Sequence, residues 1–381
     1  MDLVFDNTSN DPQTHVFIIG VGGYPFLKDG EQEKQQLLNQ VGLLRQLTSP
    51  PRSAIAFKDA MLEIHQSSKM RFAKPLGSIE LLISPSKSDP QPGKPGEIFE
   101  PATREGIEEA YDKWKQRCNA HEDNVAIFFF SGHGVEKADH YLLAEDFGKS
   151  PNNPWMQSFN FDKTRRAFHA VKAKTQCFFI DSCRQITGDM LQKDLPDVPL
   201  DVPTFLEPDC THNLTIKAAA HNETAHGPKR KPSYFTQVLL KAFEGYGASK
   251  ENGIWSVTTG NIATRTDTIL GIIRPDKVQK QRFPTNFLDS TEILIHQDAP
   301  LAHLSVECNP KNACKHAQFQ CKDINSGDVI SRDPNTKLVW DLEIPSGLYK
   351  ISAAFPNAEF NNTNENISVV PPSSKEILKC Q

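Results

Sequence analysis

The sequence lacks long apolar runs and an excess of positive charge. No stretch approaches the roughly 18 consecutive apolar residues that a membrane-spanning helix requires. The formal net charge is −5 and the pI is about 6.2, a balance that does not suit a phosphate backbone. With 38% apolar residues in 381, the chain can nevertheless form a substantial core. We therefore expect neither nucleic acid nor membrane among its partners.

The amino terminus also lacks the features of a secretory signal. The stretch "MDLVFDNTSNDPQ" has neither a basic start nor an apolar centre. Without such a signal, eight cysteines in a chain of this length indicate reduced thiols. We expect a cytoplasmic protein, with secretion by another route left open.

Apolar segments alternate with amphipathic helices over the first 300 residues. Several segments are apolar on both faces, as expected for strands buried in a parallel sheet. The predicted strands are 15–24, 78–84, 124–134, 175–183, 213–220 and a closing strand at 291–297; the predicted helices are 53–64, 103–118, 161–171, 233–246 and one that begins near 256–266. The fold class is therefore α/β, with a mostly parallel six-stranded sheet and helices on both faces.

After Pro300 the pattern changes to short alternating strands without a helix. We expect a small all-β, sandwich-like domain at 299–381, joined to a larger domain at 1–298. Four cysteines fall in or near its strands at spacings that do not match a zinc knuckle, so no metal site is predicted. Free thiols are expected for Cys308, Cys314, Cys321 and Cys380, with a disulfide formed under oxidation or a metal ion as the alternatives.

Two polar clusters follow buried strands. "SGHG" (131–134) ends one strand and "DSCR" (181–184) ends another, so His133 and Cys183 are 50 residues apart. In neighbouring parallel strands both would emerge at the carboxyl edge, where α/β folds bind ligands. A thiol with a pKa of about 8.5 is a weak nucleophile at neutral pH, but an imidazole can take its proton. The N–H groups of Gly134 and Cys183 would then form an oxyanion hole. A buried inert thiol and a turn histidine are the alternatives.

This pair of motifs resembles the caspase-like cysteine peptidases, the clan that includes caspases and metacaspases. The resemblance covers about residues 12–297, and the bacterial metacaspase-like branch is the most similar. It implies an endopeptidase that acts on a protein or peptide through a Cys183–His133 dyad and a thioester acyl-enzyme. No cofactor is implied, a response to calcium is left open, and regulated proteolysis or bacterial defence is the expected setting.

The sequence departs from caspases just before the cysteine, where Asp181 and Ser182 replace Gln-Ala. A carboxylate in the specificity pocket would attract a basic P1 residue, and Arg more than Lys because a guanidinium can bond it twice. The resemblance also makes Ala219 and Ala220 substrate-binding residues on the edge of the cleft. Arg52 is the counter-argument, since it lies near where caspases keep an aspartate-binding arginine; we expect it in a solvent-exposed turn instead.

Other functions and sites remain open. A non-catalytic caspase-fold adaptor, whose β domain binds a regulatory partner, is the main alternative. An α/β hydrolase or a deaminase would need a G-x-S-x-G elbow or an H-x-E…C-x-x-C set, and both are missing. Segments 192–209 and 226–233, the second with three consecutive basic residues, are either solvated loops or self-cleavage sites. Asp146 is expected in a turn or cap, and surface or packing roles are expected for His140, His169, His221 and His226.

Overall fold

A seven-stranded sheet forms the centre of the larger part of the chain. The computed structural model describes residues 3–35, 37, 41, 44–150, 152–184, 198–203, 210–219, 228–274 and 282–381. Its strands, in their order across the sheet, are β1 (Leu3–Asp6), β4 (Leu76–Ser84), β2 (Thr14–Val21), β5 (Val125–Gly132), β9 (Thr175–Ser182), β10 (His212–Lys217) and β13 (Thr285–Leu288). From β4 to β10 all neighbours are parallel, and the two edge strands are antiparallel.

The mostly parallel sheet is as predicted, but the number and identity of its strands differ. The two edge strands have four residues each and mostly exposed or alternating side chains, so they carry no long apolar run. The predicted closing strand at 291–297 lies instead in a second sheet. That sheet contains, in spatial order, β11 (Ala248–Glu251), β12 (Ile254–Thr258), β14 (Glu292–His296) and β3 (Met70–Phe72).

Helices cover both faces of the central sheet. One face packs against α1 (Ser49–Gln66), α4 (Tyr234–Lys241) and α5 (Thr259–Ile273), and the other against α2 (Arg104–Cys118) and α3 (Phe161–Phe168). Alternate residues of β2 enter the two cores: Val16 and Ile18 face one, Phe17 and Ile19 the other. This two-sided burial explains the continuous apolar runs of the sequence.

Among the helix starts, that of α1 differs most from the prediction. Helix α1 begins at Ser49 rather than 53, because prolines are tolerated in the first turn, where backbone N–H groups have no partner within the helix. The helix predicted to begin near 256–266 begins at Thr259. The hydroxyl of Thr258 accepts a hydrogen bond from the Asn261 N–H, so this residue ends strand β12 and caps α5.

A small three-stranded sheet lies beside the ends of β5 and β9. It consists of β6 (Gly134–Glu136), β7 (His140–Leu143) and β8 (Ser158–Asn160). Strand β6 begins two residues after β5 ends, so the chain turns sharply at His133. The hairpin of β6 and β7 therefore forms one wall behind the carboxyl edge of the central sheet.

Residues 301–379 are β apart from one short 3₁₀ turn at Lys311–Lys315. They form a three-stranded and a four-stranded sheet around a core of their own. The strands are β15 (Leu301–Asn309), β16 (Gln318–Asp323), β17 (Val329–Arg332), β18 (Trp340–Pro345), β19 (Gly347–Ala354), β20 (Thr363–Val369) and β21 (Ser373–Lys379). The all-β character is as predicted, while the domain limits 1–298 and 299–381 stay a prediction. Within the described residues, no helix is both long and apolar enough to cross a membrane.

Candidate active site

Strand register brings His133 and Cys183 to the same edge of the sheet. Strands β5 and β9 are parallel neighbours, and Gly132 lies opposite Ser182 in the last pair of their ladder. His133 and Cys183 are the next residues of the two strands. Both line one cleft of about 990 Å³, together with Asp181. The sequence prediction that the two motifs meet at a carboxyl edge is thus confirmed by the register.

His133 is held by two contacts that the sequence did not reveal, one through its ring and one through its backbone. Its Nε2 donates a hydrogen bond to the backbone carbonyl of Arg45 at 2.7 Å, and its backbone N–H donates to the Tyr24 hydroxyl at 2.8 Å. A carbonyl oxygen only accepts, so Nε2 carries the proton and Nδ1 is left to act as a base. Burial lowers the pKa of His133 to about 4, which keeps the ring neutral at pH 7.

Cys183 differs from most thiols of the chain in its exposure. Cys177, four residues before Asp181, is fully buried in the middle of β9, and burial raises the pKa of its thiol far above the usual value. Cys183 is half-buried and lines the cleft. Of the two thiols on this strand and its exit, Cys183 is therefore the accessible one.

Asp181 lies at the floor of the cleft, with only 4% of its surface exposed. Its Oδ2 accepts hydrogen bonds from Ser131 Oγ at 2.9 Å, Ser233 Oγ at 2.6 Å and Thr236 Oγ1 at 3.1 Å. Burial raises the pKa of the carboxyl group, and the hydroxyl donors oppose that shift. These donors come from β5 and from the start of α4, so no local sequence pattern could have identified them.

Gly134 packs directly against the nucleophile segment. A Cβ atom at this position would lie 2.6 Å from Ser182 Oγ, 2.7 Å from His140 Nε2 and 2.8 Å from the Cys183 carbonyl oxygen. Only glycine allows this close approach. Gly134 is not among the described residues that line the cleft. Its part in an oxyanion hole therefore stays a prediction.

His140, for which a surface or packing role was expected, is packed behind Cys183. The side chain is fully buried, and its Nε2 lies 3.2 Å from the Cys183 carbonyl oxygen and 3.1 Å from Ser182 Oγ. Its backbone N–H donates to Asp162 Oδ2 at 2.8 Å. Burial lowers the pKa of His140 to about 3, so the ring is neutral. No sequence motif identifies His140. The feature that could have suggested its position is that its strand pairs with "GVE", the strand that follows His133.

Arg184 connects loops around the site and is not among the described residues that line the cleft. Its guanidinium forms an ion pair with Glu136 and donates to the Ala219 carbonyl oxygen at 3.3 Å. Ala219 lies just after β10 and is fully buried. Its carbonyl oxygen is already occupied by the hydrogen bond from Arg184. Ala220 lies outside the described residues. Substrate binding by this edge remains a prediction.

Arg52 does not lie in a solvent-exposed turn, so that expectation is wrong. It belongs to the first turns of α1 and bonds Asp89 in two places, at 2.7 and 2.9 Å. Asp89 is buried, so it holds the Arg52 guanidinium in one position. Asp146 acts as a helix cap, as expected, because its Oδ1 accepts the backbone N–H of Arg104 at 2.9 Å at the start of α2.

The sequence profile of the Caspase domain, a peptidase family, matches residues 69–281, more than half of the chain. This chain belongs to the caspase domain family. The family assignment confirms the caspase-like α/β fold and the resemblance drawn from "SGHG" and "DSC".

Two curated proteins are similar to the caspase-domain chain. An uncharacterised protein of Sinorhizobium fredii is 26% identical over 207 residues, 53% of this chain and 59% of that protein. A protein of a Desulfuromonadales bacterium, named a probable protease, is 20% identical over 333 residues, 80% of this chain and 39% of that protein. The chain thus spans less than two thirds of either relative.

Solved structures with some similarity include a Geobacter sulfurreducens protein, with 14% identity and a TM-score of 0.42. The alignment includes 73% of this chain and 94% of the Geobacter protein. Caspase-1 from Spodoptera frugiperda has 12% identity and a TM-score of 0.41, covering 75% of this chain and 91% of its own. The family assignment rests on the sequence profile.

Proposed function

We propose that this caspase-domain protein is a cysteine endopeptidase that cleaves after Arg, and less readily after Lys, through Cys183 and His133. The observation that carries the proposal is the β5–β9 register, which leads a histidine and a cysteine into one cleft beside a buried aspartate. An adaptor without catalysis would not need a neutral histidine with one ring nitrogen fixed and the other left to accept a proton.

The reaction follows from the two side chains. The Cys183 sulfur attacks the carbonyl carbon of the scissile bond while its proton passes to Nδ1 of His133. The protonated ring then gives this proton to the leaving amine, and a thioester with Cys183 remains. Water, deprotonated by the same ring, attacks the thioester; the C–S bond breaks, the ring returns the proton to the Cys183 sulfur, and the acid product leaves. Backbone N–H groups of Gly134 and Cys183 are the proposed donors to the oxyanion.

Substrate choice is assigned to Asp181. Its carboxylate lies at the floor of the same cleft and is held by three hydroxyl donors, which favour its charged form. A fixed negative charge at the end of a pocket favours a P1 guanidinium over an ammonium and repels a P1 carboxylate. Arg52 would support the opposite preference, but its charge is paired with Asp89.

The test is a set of fluorogenic peptides that differ only at P1, with Arg, Lys, citrulline or Asp. We expect the highest kcat/KM for Arg, less for Lys and essentially none for Asp. Citrulline has the shape of Arg without its charge, so Asp181→Asn should abolish most of the difference between Arg and citrulline. Alkylation of Cys183 by iodoacetamide in the same variant shows whether the thiol is intact. Robust cleavage after Asp by the wild-type chain would overturn the assignment.

The biological setting is proposed more broadly. We place the enzyme in the cytoplasm, in the metacaspase-like branch, and in regulated proteolysis or bacterial defence. Residues 299–381 would bind a regulatory protein partner, since they contribute none of the described residues that line the cleft. A binding screen with the isolated caspase domain and with the full chain, scored for partners that need 299–381, tests this division.

A further inference from the structure

The cleft that contains Cys183 has opposite charges at its floor and its rim. Asp181 is the buried acid at the floor. Among the described residues of the lining, the exposed rim carries one acid, Asp29, and four cations: Arg45, Lys87, Lys229 and Arg230. In the part of the chain that the structure describes, no carboxylate forms an ion pair with any of these four cations. The nearby Asp89 is taken by Arg52.

The segment that carries two of these cations is held firmly in place. The Arg230 N–H donates to Thr48 Oγ1 at 3.1 Å, its guanidinium donates to the Ser88 carbonyl at 3.0 Å, and Ser49 Oγ donates to the Lys231 carbonyl at 2.9 Å. Arg230 has a φ of 55°, a left-handed conformation that is unfavourable for a residue with a side chain. Such strain persists where surrounding contacts impose it, often at functional sites.

The geometry of the basic run at 229–231 distinguishes between a wall of the cleft and a self-cleavage site. A peptidase binds its substrate in an extended conformation, whereas this segment is turned at Arg230 and is bonded to Thr48, Ser49 and Ser88. It fits a wall of the cleft better than a self-cleavage site. The four cations around this opening, none of which forms an ion pair with a described carboxylate, also repel one another, and a bound anionic group would relieve that repulsion.

We propose that the cleft selects acidic peptide segments that contain a single basic residue: Arg enters toward Asp181, and neighbouring Asp or Glu residues face Arg45, Lys87, Lys229 and Arg230. This inference rests on the proposed peptidase function and adds the residues that flank the cleaved bond. Polybasic segments, which satisfy Asp181 equally well, are disfavoured by the rim.

The experiment compares three peptides with the same P1 Arg and with Glu, Gln or Lys at the flanking positions. At low ionic strength we expect kcat/KM for the Glu peptide to exceed that for the Lys peptide by roughly tenfold. Because the rim cations are exposed, salt at about 0.5 M should reduce this ratio. The combined variant Lys87→Gln, Lys229→Gln, Arg230→Gln should bring the ratio close to one.

Lys231→Gln is the matched control. Lys231 is exposed and adjacent to Arg230 but is not among the residues that line the cleft, so its variant should keep the wild-type ratio. Single Lys87→Gln and Lys229→Gln variants, each with a partial effect, cover the case in which the triple variant does not fold. Equal rates for all three flanks, or faster cleavage of the Lys peptide, would overturn the rim proposal while leaving cleavage after Arg in place. Failure to cut any P1 Arg peptide would overturn the proposed function itself.

Discussion

At the residue scale, the candidate site depends on side chains that hold other side chains. The sequence predicted His133, Cys183 and Asp181 because each follows a long apolar strand. It could not predict their supports, since Arg45, Tyr24 and Ser233 lie far away along the chain. The local sequence pattern was enough to identify the candidate catalytic residues. The contacts that fix the tautomer of His133 and the orientation of the side chains arise only from the tertiary fold.

His140 gives the clearest prediction at this scale. The Cys183 carbonyl only accepts hydrogen bonds, so His140 Nε2 must donate to it, and the contact fixes the backbone that presents the thiol. His140→Leu should lower kcat about 5- to 10-fold, the equivalent of one neutral hydrogen bond, with little change in KM. His140→Gln, whose amide can donate from a similar place, should recover much of the loss.

Steady-state kinetics on a P1 Arg peptide, with a thermal melt of each variant, separate positioning from stability. A purely structural role would lower the melting temperature of His140→Leu without a selective loss of kcat. Wild-type kcat in a folded His140→Leu protein would contradict the positioning role. The Gln variant keeps the question decidable if the Leu variant does not fold.

At the element scale, the parallel strands were predictable and the edges were not. Strands β2, β4, β5 and β9 are buried along their whole length, and this produces apolar runs that stand out in the sequence. Strand β13 has four exposed residues, and its pairing with β10 is specified by backbone hydrogen bonds rather than by a side-chain pattern.

The start of helix α1 was also not predictable from the local sequence. Arg52 was expected in a turn, yet Pro50 and Pro51 form the beginning of α1, and Arg52 therefore lies in a helix beside Asp89. Proline favours both environments, so the local sequence cannot distinguish them. The close packing of α1 on the central sheet favours the helix over a turn. At Gly20 of β2 an added Cβ atom would lie only 2.6 Å from the Cβ atom of Ala54 in α1.

At the scale of the whole molecule, buried neutral histidines should make the fold sensitive to acid. Burial lowers the pKa to about 4 for His15 and His133 and to about 3 for His140, against an ordinary value of 6.5. Below pH 6.5 the unfolded chain binds protons that the folded chain does not. Each such histidine therefore removes up to about 1.4 kcal/mol of unfolding free energy per pH unit between about pH 6 and 4.

Chemical denaturation from pH 7 to pH 4 measures this loss. His15 is the useful probe, because it lies at the start of β2, at the opposite end of the strand from the cleft, with its Nδ1 3.0 Å from Ser78 Oγ. His15→Gln should remove one histidine's share of the slope, whatever its effect on stability at pH 7. An unchanged slope would show that His15 is charged or exposed in the folded protein.

The most direct measurement of the central claim is covalent labelling of the full chain with a peptide that ends in an arginine chloromethyl ketone, followed by mass spectrometry of the digested protein. A functioning dyad places the ketone where a scissile carbonyl would bind, so we predict one adduct, on Cys183, that is lost in Cys183→Ala and greatly slowed in His133→Ala. The matching aspartate reagent should label slowly. Labelling at another cysteine, or faster reaction with the aspartate reagent, would contradict the account.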